Sequence, residues 1–333
     1  MSSAARRPAR FGTEPEEGPR RGDYRGYLYI AMSAVCFGIS ASLGRAAFTG
    51  HLLPGSGIAK IDPLILAQTR TSFAFLVVLI ALLAIRGPRR LRLPLVDLGR
   101  MVMLGLAGVA ASNYFYYVAI QRTNVATAII LQYTAPTWVL LYMVARKLER
   151  PTIPKMLSVV LALAGIALVI GLVGRSHLQF DALGVIAALV AAFSFSYYNV
   201  FGHSILLRYD RWTVLLFTTM SAGLFWIILN PPTKIAAQHY SLQAWLFLIV
   251  FSMISVLLPF SLYFAGLEHL PPTKAIITSC LEPVFTILIA AFVLGEQVHA
   301  IQALGIVMVL AAIVIVQRPS RGDGLPAMVE PVD

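Results

Sequence analysis

Apolar residues along this chain run in long blocks instead of alternating or recurring at an amphipathic spacing. Ten such blocks stand at roughly 27–48, 63–85, 101–120, 125–144, 155–173, 182–203, 212–230, 242–267, 273–294 and 298–316. Short stretches rich in Arg, Pro, Gly and Asp separate them. Blocks of about 20 residues have the length a helix needs to cross hydrocarbon. Connections of about four to six residues make consecutive helices antiparallel neighbours. A longer connection, from about His51 to Asp62, joins the first two. The pattern predicts an all-α integral membrane protein with ten transmembrane helices.

Composition agrees. Of 333 residues 58% are hydrophobic and 12% charged, with a mean hydropathy of +0.78, whereas soluble domains are about 45–50% apolar and about 25% charged. Too little polar surface remains to cover a water-soluble globule, so a soluble enzyme is excluded. The net charge of +11 could be taken as a nucleic-acid signal, but the basic residues sit in short loops between apolar runs. With the N-terminus inside, 20 of the 26 Lys and Arg fall on one face and five (Arg45, Lys60, Arg122, Arg175, Lys234) on the other, while Arg70 lies within the second block. That asymmetry predicts both termini in the cytoplasm of a cell, whether inner or plasma, membrane. No nucleic-acid partner is expected; the lipid bilayer is. Residues 1–25 read as a disordered tail, and 318–333 as a second cytoplasmic tail. Cys36 and Cys280 lie inside apolar blocks and suit neither a disulfide nor a metal site.

The halves resemble each other. Ala128-Ile129-Ile130, Pro136 and Glu149 match Ala275-Ile276-Ile277, Pro283 and Glu296 at a shift of 147; Gly26, Ala34 and Phe37 match Gly184, Ala192 and Phe195 at a shift of 158. Five helices per half make the two repeats, 26–174 and 182–317, inverted relative to each other. Secondary transporters are often built this way, with the substrate site near the midplane at the repeat interface. Pro136 and Pro283 fall near the middle of the fourth and ninth blocks. Each removes a backbone N–H and frees a carbonyl four residues earlier, at Gln132 or Ser279, and such backbone must face protein or a wet cavity. The other reading is two structural kinks without ligand contact.

Thr134-Ala135-Pro136 leading to Leu148-Glu149, Leu281-Glu282-Pro283 leading to Leu294-Gly295-Glu296, and Arg70 in span two resemble the EamA family of the drug/metabolite transporter superfamily, over about 27–316. The resemblance implies ten helices, a central cavity between five-helix repeats, and export or exchange of small metabolites such as amino acids.

Polar residues inside the blocks are the site candidates. A carboxylate near the bilayer centre costs at least about 2.5 kcal/mol, so Glu282 should face inward. It reads as a proton carrier or as a structural acid bonding the other repeat, and Ala135 is its counterpart in the first half. Arg70, about 10 Å inside its span, either snorkels outward, pairs with an acid or binds a substrate carboxylate. Gln132, Tyr133, Pro136, Glu282 and Pro283 form the expected centre. Asn113, Tyr114, Tyr117 and Asn199 join Arg70 as lining candidates; the aromatics among them equally suit packing and interfacial belts. Small residues at every fourth position (Ala34, Gly38, Ser42, Ala46; Gly184, Ala188, Ala192, Ser196) mark close helix contacts where the repeats slide. His203 and His299 show no metal-ligand spacing, and no metal or cofactor is expected.

Phosphate loops, His-Glu-x-x-His and Gly-x-Ser-x-Gly patterns are absent from the sequence, and no segment is long enough for an ATPase domain. The sequence predicts a secondary transporter, exporter or exchanger, of small organic metabolites, amino acids favoured, working by alternating access with proton or cation coupling as an option. The alternatives are a polytopic membrane enzyme acting on a lipid-linked substrate and a non-transporting membrane sensor.

Overall fold

The computed structural model describes residues 21–49, 61–87, 91–123, 125–170, 181–294 and 298–317. Residues 1–20 of the N-terminal tail, the C-terminal tail, Lys60, Arg175, Glu296 and the side chains of Arg45 and Ala46 lie outside these residues, while 21–25, expected in the N-terminal tail, belong to the first helix. Helices appear at all ten expected places. They are α1 (Arg21–Thr49), α2 (Pro63–Arg86), α3 (Leu95–Arg122), α4 in two halves (Val125–Gln132 and Ala135–Ala145) and α5 (Ile153–Val169). The second five are α6 (Ala182–Leu206), α7 (Arg211–Leu229), α8 (Leu242–Leu267), α9 in two halves (Pro272–Ser279 and Leu281–Leu294) and α10 (Ala300–Gln317). Among the described residues nine are long and apolar enough to cross a membrane, and α5 is a shorter apolar helix. Their outward faces stay apolar, with Phe292 95% exposed and Ile85 80% exposed, a surface that lipid solvates and water does not. The chain is a multi-pass membrane protein.

Helix starts follow local chemistry. Asp62 caps α2 by accepting from Leu64 N at 2.8 Å, Asp181 caps α6 through Gly184 N at 2.9 Å, and Asp210 caps α7 through Trp212 N at 3.2 Å. Each satisfies backbone donors that the first turn leaves unpaired. α1 begins at Arg21, ahead of the apolar run, because a polar helix end can extend into the interface without burying charge.

Each half lends its first helix to the other. α1 packs on α8 and α9, and α6 packs on α3 and α4. The small-residue stripes serve these contacts: a side chain at Gly38 would meet the backbone of Phe285 and Thr286 on α9, and one at Gly184 would meet Arg122 and Thr123 at the end of α3. α5 and α10 cross so closely that a Cβ at Gly165 would lie 2.8 Å from the Gly305 carbonyl oxygen. α2 lies against α7.

Polar contacts join the helix ends. On the face rich in Arg and Lys, Arg86 pairs with Asp210 at 2.8 Å, Tyr209 donates to Asp97 at 2.6 Å and Arg211 pairs with Glu268 at 3.3 Å. Glu149 and Lys155 form a buried ion pair there, at 2.8 Å. On the opposite face Asn230 donates to Gln68 at 2.8 Å. The two repeats are therefore bridged at both ends.

Candidate functional site

Pro136 and Pro283 do not kink continuous helices. α4 stops at Gln132 and restarts at Ala135, while α9 stops at Ser279 and restarts at Leu281. Both prolines sit in the first turn of the second half-helix, where a missing N–H costs nothing because that turn has no backbone partner to offer it. The expected loosening of the backbone is thus realised as a break just ahead of each proline. The residues at these breaks, Tyr133 and Cys280, are 147 apart in the chain.

Glu282 lies in the first turn of the second half of α9, and a cluster of hydroxyls surrounds it. The Tyr133 hydroxyl is hydrogen-bonded to its carboxylate. Tyr116 from α3 and Tyr263 from α8 lie within electrostatic reach of the same carboxylate. Tyr263 in turn donates to Asn199 Oδ1 and is hydrogen-bonded to Ser279. Asn199, fully buried, also donates from Nδ2 to the Phe195 carbonyl at 2.9 Å. Polar groups taken out of water need such partners, since each unpaired one costs about 1–3 kcal/mol. Gln132 stands at the edge of the cluster, with Nε2 3.4 Å from the Ser112 hydroxyl.

Arg70 is the second focus. Its Nη2 donates to Asn113 Oδ1 at 3.0 Å, and its backbone carbonyl accepts from Ser252 at 2.6 Å. Its Nε is buried without a hydrogen-bond partner. Arg70 lines a cavity of about 10 Å³ together with Thr71, Thr218, Val109, Val256, Asn113 and Phe260, room for about one water. Its charge reaches the Glu282 carboxylate. The cavity is walled by two irregular stretches, π-helical turns at Leu104–Ala110 in α3 and Met253–Leu257 in α8. Such turns widen a helix by one residue and occur often at functional sites.

Tyr114 and Tyr117 are turned elsewhere. Tyr114 packs edge-on against Phe225 with centroids 5.9 Å apart, and Tyr117 packs against Trp226 at 6.3 Å, both on α7. The residue of α3 within electrostatic reach of Glu282 is Tyr116, which sequence reasoning passed over together with Tyr263. Two signals pointed to them. Tyr116 lies three residues beyond Asn113 and so shares its face, and Tyr263 is the counterpart of Tyr116 at the shift of 147. His203 binds the Leu267 carbonyl at 2.7 Å, and no metal-holding cluster of His, Cys, Asp and Glu occurs among the described residues.

The profile of the EamA-like transporter family matches residues 24–171 and 182–318. The threonine/homoserine exporter RhtA of Salmonella typhimurium is 27% identical over 86% of this chain and 88% of its own length. The uncharacterized inner membrane transporter YicL of the same species is 23% identical over 66% of this chain and 73% of its own. A protein of known crystal structure superposes with a TM-score of 0.70 at 19% identity, covering 88% of this chain and 96% of that one, which is a likeness of fold.

Proposed function

Since this chain belongs to the EamA-like transporter family and is a multi-pass membrane protein, we propose that it is a secondary transporter exporting or exchanging small organic metabolites, amino acids foremost. The transported molecule binds between the repeats, at the level where α4 and α9 are broken. The observation that carries this reading is the convergence there of Glu282, with its tyrosine partners, and Arg70. Buried ionisable groups in a membrane protein are expensive and mark substrate or ion pathways, and broken helices at matched depth are the usual frame for them. The naming of RhtA as a threonine/homoserine exporter favours amino acids.

The architecture supports alternating access. The cavity beside Arg70 is too small for a metabolite, and polar contacts bridge the repeats at both ends. Loading therefore requires the repeats to part at one end while the other stays closed. The face carrying Arg86, Lys147 and Arg211 is cytoplasmic by the charge rule, and the membrane is that of the cell. Protons are the coupling ion best suited to Glu282.

The test is counterflow in liposomes reconstituted with the purified protein, using labelled amino acids and nucleosides. Counterflow needs no assumption about the driving ion. Exchange of amino acids alone supports the reading, exchange of nucleosides alone replaces the cargo, and no exchange by folded protein overturns it.

A further inference from the structure

The residues around Arg70 and Glu282 come in pairs 147 apart in the sequence. Thr71 and Thr218, Val109 and Val256, and Asn113 and Phe260 all line the Arg70 cavity. Tyr116 and Tyr263 both lie within electrostatic reach of Glu282. The cavity and the acid therefore lie along the pseudo-two-fold axis that relates the repeats. On this symmetric frame two charges break the symmetry: Arg70, whose counterpart is Phe217, and Glu282, whose counterpart is Ala135.

Among the described residues neither charge forms an ion pair at contact distance, although the charge of Arg70 reaches the Glu282 carboxylate. Arg70 has five N–H donors in a fixed fork. It spends Nη2 on a neutral amide, and its Nε is buried without a partner. The hydroxyls of Ser72 on α2 and Ser255 in the π-turn of α8 are likewise buried without one. A guanidinium so placed calls for a planar anion that accepts two bonds at once, and a carboxylate is that anion. Glu282 is held by the Tyr133 hydroxyl and neighboured by Tyr116 and Tyr263. A carboxylate among tyrosines suits an ammonium group, which takes the charge as a donor and the rings through cation–π attraction.

The helices link the two groups. Asn113 and Tyr116 are three residues apart on α3, and Phe260 and Tyr263 three apart on α8, so on each helix a residue lining the Arg70 cavity and a tyrosine within electrostatic reach of Glu282 share one face.

We infer that Arg70 and Glu282 are the two poles of a receptor for a small zwitterion, Arg70 taking the carboxylate and Glu282 the ammonium. This rests on the transporter reading above and names the feature that the cargo must carry. A zwitterion satisfies both poles without adding net charge to the membrane interior. A solute with one charge leaves the other pole unpaired, which costs most where water is excluded.

The experiment compares molecules that differ by one pole. Proteoliposomes preloaded with L-homoserine are offered labelled L-homoserine, 3-aminopropan-1-ol, which lacks the carboxylate, and 4-hydroxybutyrate, which lacks the amine. The same set is run with L-threonine and its one-pole analogues. The expected result is exchange of the amino acids with each one-pole analogue slower by about a hundredfold, as for loss of one partner of a buried charge pair. Comparable exchange of an amine or acid analogue overturns the inference and leaves the transporter reading standing; no exchange of any solute by folded protein overturns both.

Two variants probe the carboxylate pole directly. Asn113→Asp sets an internal carboxylate beside Arg70, so homoserine exchange should fall by about a hundredfold while the melting temperature is kept or raised. Arg70→Lys keeps the charge but loses the fork, and exchange should fall with KM raised more than the maximal rate is lowered. If both variants fold and exchange at the wild-type rate, Arg70 is not the carboxylate pole.

Discussion

Tyr116 and Tyr263 stand 147 residues apart in the chain, in inverted halves, and both lie within electrostatic reach of one and the same carboxylate, that of Glu282. The convergence is what an inverted repeat produces along its axis, where equivalent residues of the two halves meet. The acid itself is not duplicated, since Ala135 takes the equivalent place. A single carboxylate therefore serves both tyrosines, and the symmetric frame carries one acid instead of two.

Tyr133→Phe removes the hydroxyl bonded to Glu282 and keeps the ring. A hydrogen bond to a charged group is worth about 1.5–3 kcal/mol. Amino-acid counterflow is expected to fall about tenfold or more, with little change in melting temperature. Unchanged exchange in folded protein would remove Tyr133 from the site.

Lys155 and Glu149 are a pair whose side chains are 3% and 9% exposed. Removing one partner leaves a buried charge alone, while replacing both with neutral groups is far less costly. Lys155→Met should lower stability by about 3–5 kcal/mol, and Lys155→Met combined with Glu149→Gln should recover most of it. Chemical unfolding in detergent measures both. Equal loss in the single and double variants would show that packing of the lysine stem, not its charge, is what counts.

The pH dependence of the Arg-rich face turns on Asp210. Burial by itself pushes its carboxyl up, but hydrogen bonds from Arg86 and from the hydroxyl and backbone of Thr213 outweigh this and hold it below the ordinary value of 3.8. A carboxylate with a depressed value in the fold stabilises above its unfolded value, and that contribution disappears as pH falls through the folded one. Stability should therefore drop on acidification below about pH 4, and Asp210→Asn should flatten that part of the profile. At neutral pH, Asp210→Ala is expected to lose about 1 kcal/mol as the cap of α7. Unfolding followed from pH 7 to pH 3 decides it.

Gly165→Ala tests the closest helix crossing. The added methyl would stand 2.8 Å from the Gly305 carbonyl and 2.9 Å from Val309 Cγ2, inside contact distance on two sides, one of them backbone. Overpacking of this kind costs about 1–3 kcal/mol. A lowered melting temperature is expected, and Gly99→Ala, where nothing lies within 4 Å, serves as the control.

Span number and placement were legible in the sequence because they depend on local transfer energies. About 20 apolar residues between charges prefer a helix in lipid whatever their neighbours are. The inverted repeat, Pro136, Pro283, Arg70 and Glu282 could be read in the same way, from spacing and from the cost of burying charge. Tertiary structure decided which face of each span turns inward. Helices apolar on every side carry no amphipathic stripe to orient them, so sequence alone paired Tyr114 with Tyr117 on α3. Packing turned those two onto Phe225 and Trp226 of α7 and brought Tyr116 toward Glu282 instead. The helix breaks needed packing too. A proline marks where a helix can restart, but only the fold supplies the remote partners at the breaks: Ser196 donates to the Ala135 carbonyl at 3.1 Å, and the Tyr133 hydroxyl is hydrogen-bonded to Glu282.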